Sequence, residues 1–129
     1  MENEYLFVYG TLKKSYDHPL HKEINLYSDF FSEGVYNGKL FLIGEYPGAI
    51  VSSNPNDIVY GEVYLLTNAN RLLSILDEYE ECEAHSPQPT EYIRSLQLIH
   101  LNNNASVKAW IYLYNYNTDC LLPINSGKF

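Results

Sequence analysis

Runs and alternations of apolar residues divide this chain into a series of short elements. Tyr5-Leu6-Phe7-Val8-Tyr9 is an unbroken run of strand formers, stopped by Gly10. A continuous apolar run predicts a strand buried on both faces. Gly10-Thr11-Leu12 reads as a turn that leaves backbone N–H groups near the strand end, followed by a polar, partly helical connection over residues 13–31. Residues 34–44 read as strand, Glu45-Tyr46-Pro47-Gly48 as a turn, and Ala49-Ile50-Val51 as a short strand. Asn54-Pro55-Asn56-Asp57 has the composition of a hairpin loop, and residues 58–66 form the next strand.

The period then changes. Ala69, Leu72, Leu73, Ile75, Leu76 and Tyr79 recur at helical spacing behind Asn68, a good N-cap, and predict a helix over residues 69–80. Pro87 and Pro89 make residues 81–91 a loop. Residues 92–101 alternate as a strand, Asn102-Asn103-Asn104 turns a hairpin, and residues 107–114 form the last strong strand. Residues 115–129 either close the sheet or trail over one end of it. There is no repeat, linker or low-complexity segment. The expectation is an α+β fold, one domain over residues 1–129, with a curled or barrel-like sheet and flanking helix.

Composition narrows the function classes. At 129 residues, 46% hydrophobic and only 19% charged, the chain has the means to bury a core. Its net charge of −8 repels phosphate backbones and anionic lipids. The longest basic run is Lys13-Lys14 and the only arginines are Arg71 and Arg94, so neither nucleic acid nor a membrane is expected as a partner. No apolar run approaches the roughly 20 residues of a membrane span. The first residues carry no basic or long apolar leader, and Cys82 and Cys120 make neither a disulfide framework nor a zinc site. These features lead to the expectation of a cytoplasmic protein with two free thiols. The 13 tyrosines suit a strand-rich core, an interface or a polar ligand pocket.

The residue that carries most chemical information is Glu80. Four residues after Leu76, it falls on the apolar stripe of the helix, while Asp77, Glu78 and Glu81 point away from the centre of that stripe. Burial, together with the acidic run from Asp77 to Glu83, would raise its pKa toward the range of a neutral-pH general acid/base. The same periodicity also allows the helix to fray at Tyr79, leaving Glu80 a solvated carboxylate, and Glu83 would share the stripe if the helix continued. The turn at Tyr9, Gly10, Thr11 and Leu12 is either an anion-holding set of N–H groups or an ordinary strand ending. Arg94 is either a carboxylate clamp or a strand-edge charge. His18 and His21 have no complement of carboxylates or cysteines for a metal, and no nucleophile elbow, Walker A loop or dinucleotide fingerprint occurs. Cys82 lies in an acidic stretch that disfavours a thiolate. A catalyst of this composition is left with proton-transfer chemistry, without metal or cofactor.

Taken in order, several short motifs resemble the γ-glutamylcyclotransferase-like family, the AIG2-like superfamily that includes γ-glutamylamine cyclotransferases. They are Phe7-Val8-Tyr9-Gly10-Thr11-Leu12, Gly44-Glu45-Tyr46-Pro47-Gly48, Gly61-Glu62-Val63-Tyr64 and Leu76-Asp77-Glu78-Tyr79-Glu80. Tyr92-Ile93-Arg94, Ala109-Trp110-Ile111-Tyr112 and Ile124-Asn125-Ser126-Gly127 continue the match over nearly the whole chain. The resemblance implies a small barrel-like sheet with flanking helices and a cavity at one end. It implies Glu80 as the catalytic acid/base, Tyr9, Gly10, Thr11 and Leu12 as the loop holding the γ-glutamyl group, and Tyr46, Gly48 and Tyr112 as cavity residues. The implied reaction is attack of the substrate's α-amine on its own γ-carbonyl, releasing 5-oxoproline and an amine without a cofactor. The partner is then a small γ-glutamyl molecule, and the protein a monomer or homodimer. The loop over residues 81–91 is longer than in members where an aromatic-x-Arg follows the glutamate closely. Two other readings stand beside this one: a non-catalytic protein that binds a small amino-acid-like ligand, and a structural protein with a tyrosine-rich interface.

Overall fold

In the computed structural model, which describes residues 3–83 and 85–129, the elements follow the order β1 (Tyr5–Val8), α1 (His21–Tyr27), β2 (Ser28–Tyr36), β3 (Gly38–Ile43), β4 (Tyr46–Val51), β5 (Val59–Leu66), α2 (Ala69–Tyr79), β6 (Tyr92–Leu101), β7 (Ser106–Tyr114) and β8 (Leu122–Pro123). Five strands close into a barrel in the order β1-β5-β2-β6-β7. Closure is made by parallel pairing of β1 with β7 at Leu6 and Trp110. The remaining strands form a second sheet, β4-β3-β8. The architecture is the expected α+β barrel-like sheet with flanking helices.

Period-two alternation explains how β1 is buried on both faces. Phe7 and Tyr9 join Val59, Val63, Ile99, Ile111 and Leu113 in one core cluster, inside the barrel and under the second sheet. Leu6 and Val8 face the other way. They pack with Tyr64, Leu66 and Tyr112 against Ile24 of α1 and Leu72, Leu73 and Leu76 of α2. The continuous apolar run therefore reflects two cores that share one strand. At about 25 cal/mol per Å² of apolar surface, burying both faces of such a run contributes several kcal/mol to stability.

Three expected boundaries move. The connection after Lys13 is helical only at His21–Tyr27, and Ser28 to Phe31 already belong to β2, paired with β5. Residues 34–44 are not one strand: the chain leaves the barrel at Asn37 and enters the second sheet as β3. The Asn37 side chain fixes this crossing by donating to the carbonyls of Asn54 and Asp57, both at 2.8 Å. Nor is 45–48 a four-residue turn. Gly44, at φ +65°, allows a tight reversal, and Tyr46, Pro47 and Gly48 are already paired with β3. Pro47 is tolerated there because β4 is an edge strand. Residues 115–129 add no strand to the barrel: β8 pairs with β3, and beyond it the Gly127 carbonyl accepts the Tyr60 N–H of β5 at 2.8 Å.

Candidate functional site

Helix α2 ends in a way that aims Glu80. The Asn68 side chain caps its start by accepting from the Arg71 N–H at 3.2 Å. At its end, the Glu81 N–H donates to the Glu78 carbonyl at 3.1 Å and the Cys82 N–H to the Asp77 carbonyl at 3.0 Å. With Glu81 at φ +55°, this is a Schellman closure. Glu80 retains helical backbone angles, and its N–H donates to the Leu76 carbonyl at 2.8 Å. The helix does not fray before Glu80, so the side chain keeps the direction that the apolar stripe gives it.

That direction is into a cavity of about 550 Å³ at one end of the barrel. The walls come from the β1 end and the following turn, Tyr46 and Pro47 of β4, the α2 end, the loop over residues 81–91, and Tyr112 and Tyr116. Among the described residues no hydrogen bond or ion pair reaches the Glu80 carboxyl, yet it is not sealed away, since no buried side-chain oxygen is left without a partner. Burial first, and the negative charge of Glu91 second, push this carboxyl from 4.5 up to about 7. The repulsion thus comes from the far side of the cavity, and not from the acidic run on the helix as expected from sequence.

The turn opposite Glu80 is anchored from behind. The Tyr9 hydroxyl, buried, donates to the Tyr112 carbonyl at 2.6 Å and accepts from the Ala49 N–H at 3.1 Å. This single group ties β1, β7 and β4 together beneath the cavity. The Lys13 N–H closes the turn onto the Gly10 carbonyl at 3.1 Å. Among the described residues, the N–H groups of Thr11 and Leu12 find no acceptor, and both residues line the cavity. Gly10 is small for a contact reason: a Cβ there would lie 3.0 Å from Pro47 Cγ.

Asp77 departs from expectation. It points toward the barrel and accepts from Arg94 Nε at 2.8 Å, Arg94 Nη2 at 3.1 Å and the Tyr112 hydroxyl at 2.7 Å. Arg94, which also lies 4.4 Å from the centre of the Trp110 ring, is therefore taken by the protein's own carboxylate rather than by a ligand. Burial, then Asp77, pushes the Cys82 thiol up to about 11. Cys82 and Cys120 are both free. His18 bonds the Tyr79 hydroxyl at 3.0 Å and His21 the Leu12 carbonyl at 3.1 Å, so both ring systems serve packing around the turn. Among the described residues no helix is long and apolar enough to cross a membrane.

A sequence model described as "Gamma-glutamyl cyclotransferase, AIG2-like" matches residues 6–129. The chain belongs to this family. Among curated proteins no significant sequence match was found. Solved structures similar to this AIG2-like chain include an AIG2-like protein from Mus musculus, with a TM-score of 0.76 at 23% identity, covering 100% of this chain and 89% of that one. The ytfP protein of Escherichia coli superposes with a TM-score of 0.66 at 28% identity, covering 97% of this chain and 95% of that one. YkqA of Bacillus subtilis gives a TM-score of 0.71 at 25% identity; the match covers 99% of this chain but only 40% of that one.

Within this family framework the residues singled out from sequence are gathered unevenly. Glu80, Tyr9, Gly10, Thr11, Leu12, Tyr46 and Tyr112 all line the one cavity. Gly48 does not. It lies in β4, where a Cβ would collide with Ile43 and fall 2.8 Å from Tyr114 Cβ, so its role is close packing of the two sheets. Tyr112 contributes its ring to the wall while its hydroxyl serves Asp77. Tyr46 is half-exposed at the rim, and its hydroxyl donates to Glu91 Oε1 at 2.8 Å. Sequence reasoning missed Glu91, Thr90, Tyr92 and Tyr116, which also line the cavity. Asp77 was detectable, since it follows Leu73 by one helical turn; Glu91 was not, because no periodicity crosses a proline-containing loop.

Proposed function

We propose that this chain is a γ-glutamyl cyclotransferase that converts a γ-glutamyl amide to 5-oxoproline and a free amine, with Glu80 as general acid/base. The observation that carries the reading is the Glu80 carboxyl itself. It is desolvated, unpaired among the described residues, raised by burial to about 7, and lines the same small-molecule-sized cavity as the Thr11–Leu12 turn.

The chemistry asks little of the protein. The substrate's α-nitrogen attacks its own γ-carbonyl carbon, the new C–N bond closes a five-membered lactam, and the original amide C–N bond breaks. Both protons shed by the α-ammonium end on the departing nitrogen, so none is gained or lost overall. Glu80 takes the first proton and returns it, and a pKa near ambient pH suits both transfers. The turn N–H groups hold the substrate carboxylate or the oxygen on which negative charge develops. Selecting the folded-back conformer supplies several kcal/mol of the remaining barrier. Tyr9, with its hydroxyl committed to two backbone groups, acts as a positioning residue beneath the turn.

The test is 5-oxoproline release from a panel of γ-glutamyl amino acids and amines, with Glu80→Gln beside the wild type. Losing a positioned acid/base is expected to lower kcat by about 10²–10⁴-fold. Wild-type-like turnover by Glu80→Gln would remove Glu80 from the mechanism. Tight binding of the amides with no release by the wild type would leave the binding-protein reading instead.

A further inference from the structure

A buried carboxylate on β5 takes no part in the chemistry above. Glu62 is 8% exposed and lies on the face of β5 that carries Tyr64 and Leu66. There it meets the chain just past the turn: Oε1 accepts the Lys14 N–H at 2.8 Å and the Tyr64 hydroxyl at 3.0 Å. The Lys14 ammonium lies 3.9 Å from the centre of the Phe30 ring, which in turn packs edge-on against Tyr64 with ring centres 5.7 Å apart. Lys14 is therefore tied to the barrel at its backbone and at its side-chain tip. Covering this spot alone would be served better by an apolar residue, since burying a carboxylate is costly without donors. What the carboxylate adds is a charge-assisted bond to one backbone N–H.

That bond completes the support of the turn. Tyr9 ties its entry to β7 and β4, and Glu62 ties its exit to β5. Val8, the register partner of Glu62, sets this second tie beside the strand end from which the turn springs. Between the two ties, the Lys13 N–H closes onto the Gly10 carbonyl, and the Leu12 carbonyl bonds His21 Nε2. Glu62 does not line the Glu80 cavity; it lines a separate hollow with Lys13 and Lys14, so its influence on the cavity passes through the turn. Resting on the cyclotransferase reading, we infer that Glu62 is a positioning residue: by holding the Lys14 N–H it keeps the turn in the conformation whose Thr11 and Leu12 N–H groups receive the substrate's α-carboxylate. It thereby sets the affinity for the γ-glutamyl half, equally for every departing amine. The bond does the positioning and not the charge, so a neutral side chain with a carbonyl oxygen can replace it.

Glu62→Ala deletes the acceptor. KM for γ-glutamyl amides and the inhibition constant of 5-oxoproline are both expected to rise about tenfold, by the same factor for amides of different amines. A smaller folded fraction would lower kcat alone, so this split separates positioning from mere stability. Glu62→Gln keeps a carbonyl oxygen and is expected to return both constants to within about threefold of wild type. Should Glu62→Ala fail to fold, Lys14→Pro removes the donor instead. Lys14 is the second residue of the turn in which the Tyr16 N–H donates to the Lys13 carbonyl at 3.1 Å, a position that accepts proline. Lys14→Pro is expected to raise the same two constants, and the double variant to raise them no further than either change alone. Release of 5-oxoproline with both constants unchanged in Glu62→Ala or Lys14→Pro, a Glu62→Gln as impaired as Glu62→Ala, or additive effects in the double variant would overturn the role of Glu62 and leave the cyclotransferase reading standing. No release by the wild type would overturn both.

Discussion

Asp77 and Glu80 sit three residues apart at the end of one helix and meet opposite fates. Asp77 is saturated by the Arg94 guanidinium and the Tyr112 hydroxyl, which lock α2 onto β6 and β7. Glu80 has no such partner among the described residues, and burial together with Glu91 makes its charged form unfavourable. Identical carboxylate chemistry becomes a structural fastener in one place and, in the other, a buried carboxyl raised to about 7, which suits the proton transfers proposed for it. The difference lies in what the neighbouring strands present: β6 and β7 supply donors to Asp77, while the cavity offers Glu80 a hollow and a second negative charge. A helix turn that held both carboxylates in equivalent surroundings could do only one of these things.

Substitutions can break this pairing of opposites in order of expected effect. Asp77→Ala should destabilise the fold by about 3 kcal/mol, because Arg94 and the Tyr112 hydroxyl lose their partner in a partly buried site. Urea denaturation measures it, and a loss below about 1 kcal/mol would place the pair among ordinary surface ion pairs. Glu80→Gln should act in the other direction. A carboxyl raised from 4.5 to about 7 on folding binds more protons in the native state across that window. Wild-type stability therefore falls as pH rises through the window, and the loss is complete above it. Glu80→Gln removes that loss, so the variant should be more stable than wild type by about 2 kcal/mol near pH 8 and nearly equal near pH 4. Parallel pH–stability curves for the two proteins would contradict the desolvation of Glu80. The smallest effect sharpens the contrast. Glu81→Gly should stabilise by about 1 kcal/mol by relieving a non-glycine residue at φ +55° just after the helix. Thermal melts at matched pH suffice to detect it.

Much of this arrangement was legible in the residues. The helix start at Asn68, the apolar stripe that carries Glu80, and the doubly buried first strand followed from spacing and residue type alone. What escaped were features set by partners distant in sequence. Ser28 to Phe31 carry no strong strand pattern, yet they are strand because β5 offers a paired edge. Tyr46-Pro47-Gly48 has turn composition, but β3 holds it extended on a sheet edge where a proline costs little. The charge that tunes Glu80 was sought in the adjacent acidic run and is instead supplied by Glu91, which only the folded loop brings near. For the same reason Gly48 was placed among cavity residues and proves to be a contact between sheets.

The Tyr9 hydroxyl reaches a carbonyl 103 residues further along the chain, and the barrel seam beside it joins β1 to β7. During synthesis, therefore, the first strand can pair with β5 and cover its α1–α2 face before β7 is made. The seam and the Tyr9 bond wait until Trp110 and Tyr112 have left the ribosome. A seam this non-local closes slowly and leaves one strand edge unpaired meanwhile. The turn that would grip the substrate gains its backing only when that seam closes, so any activity of the cavity reports completed folding, and an incomplete nascent chain would be inert.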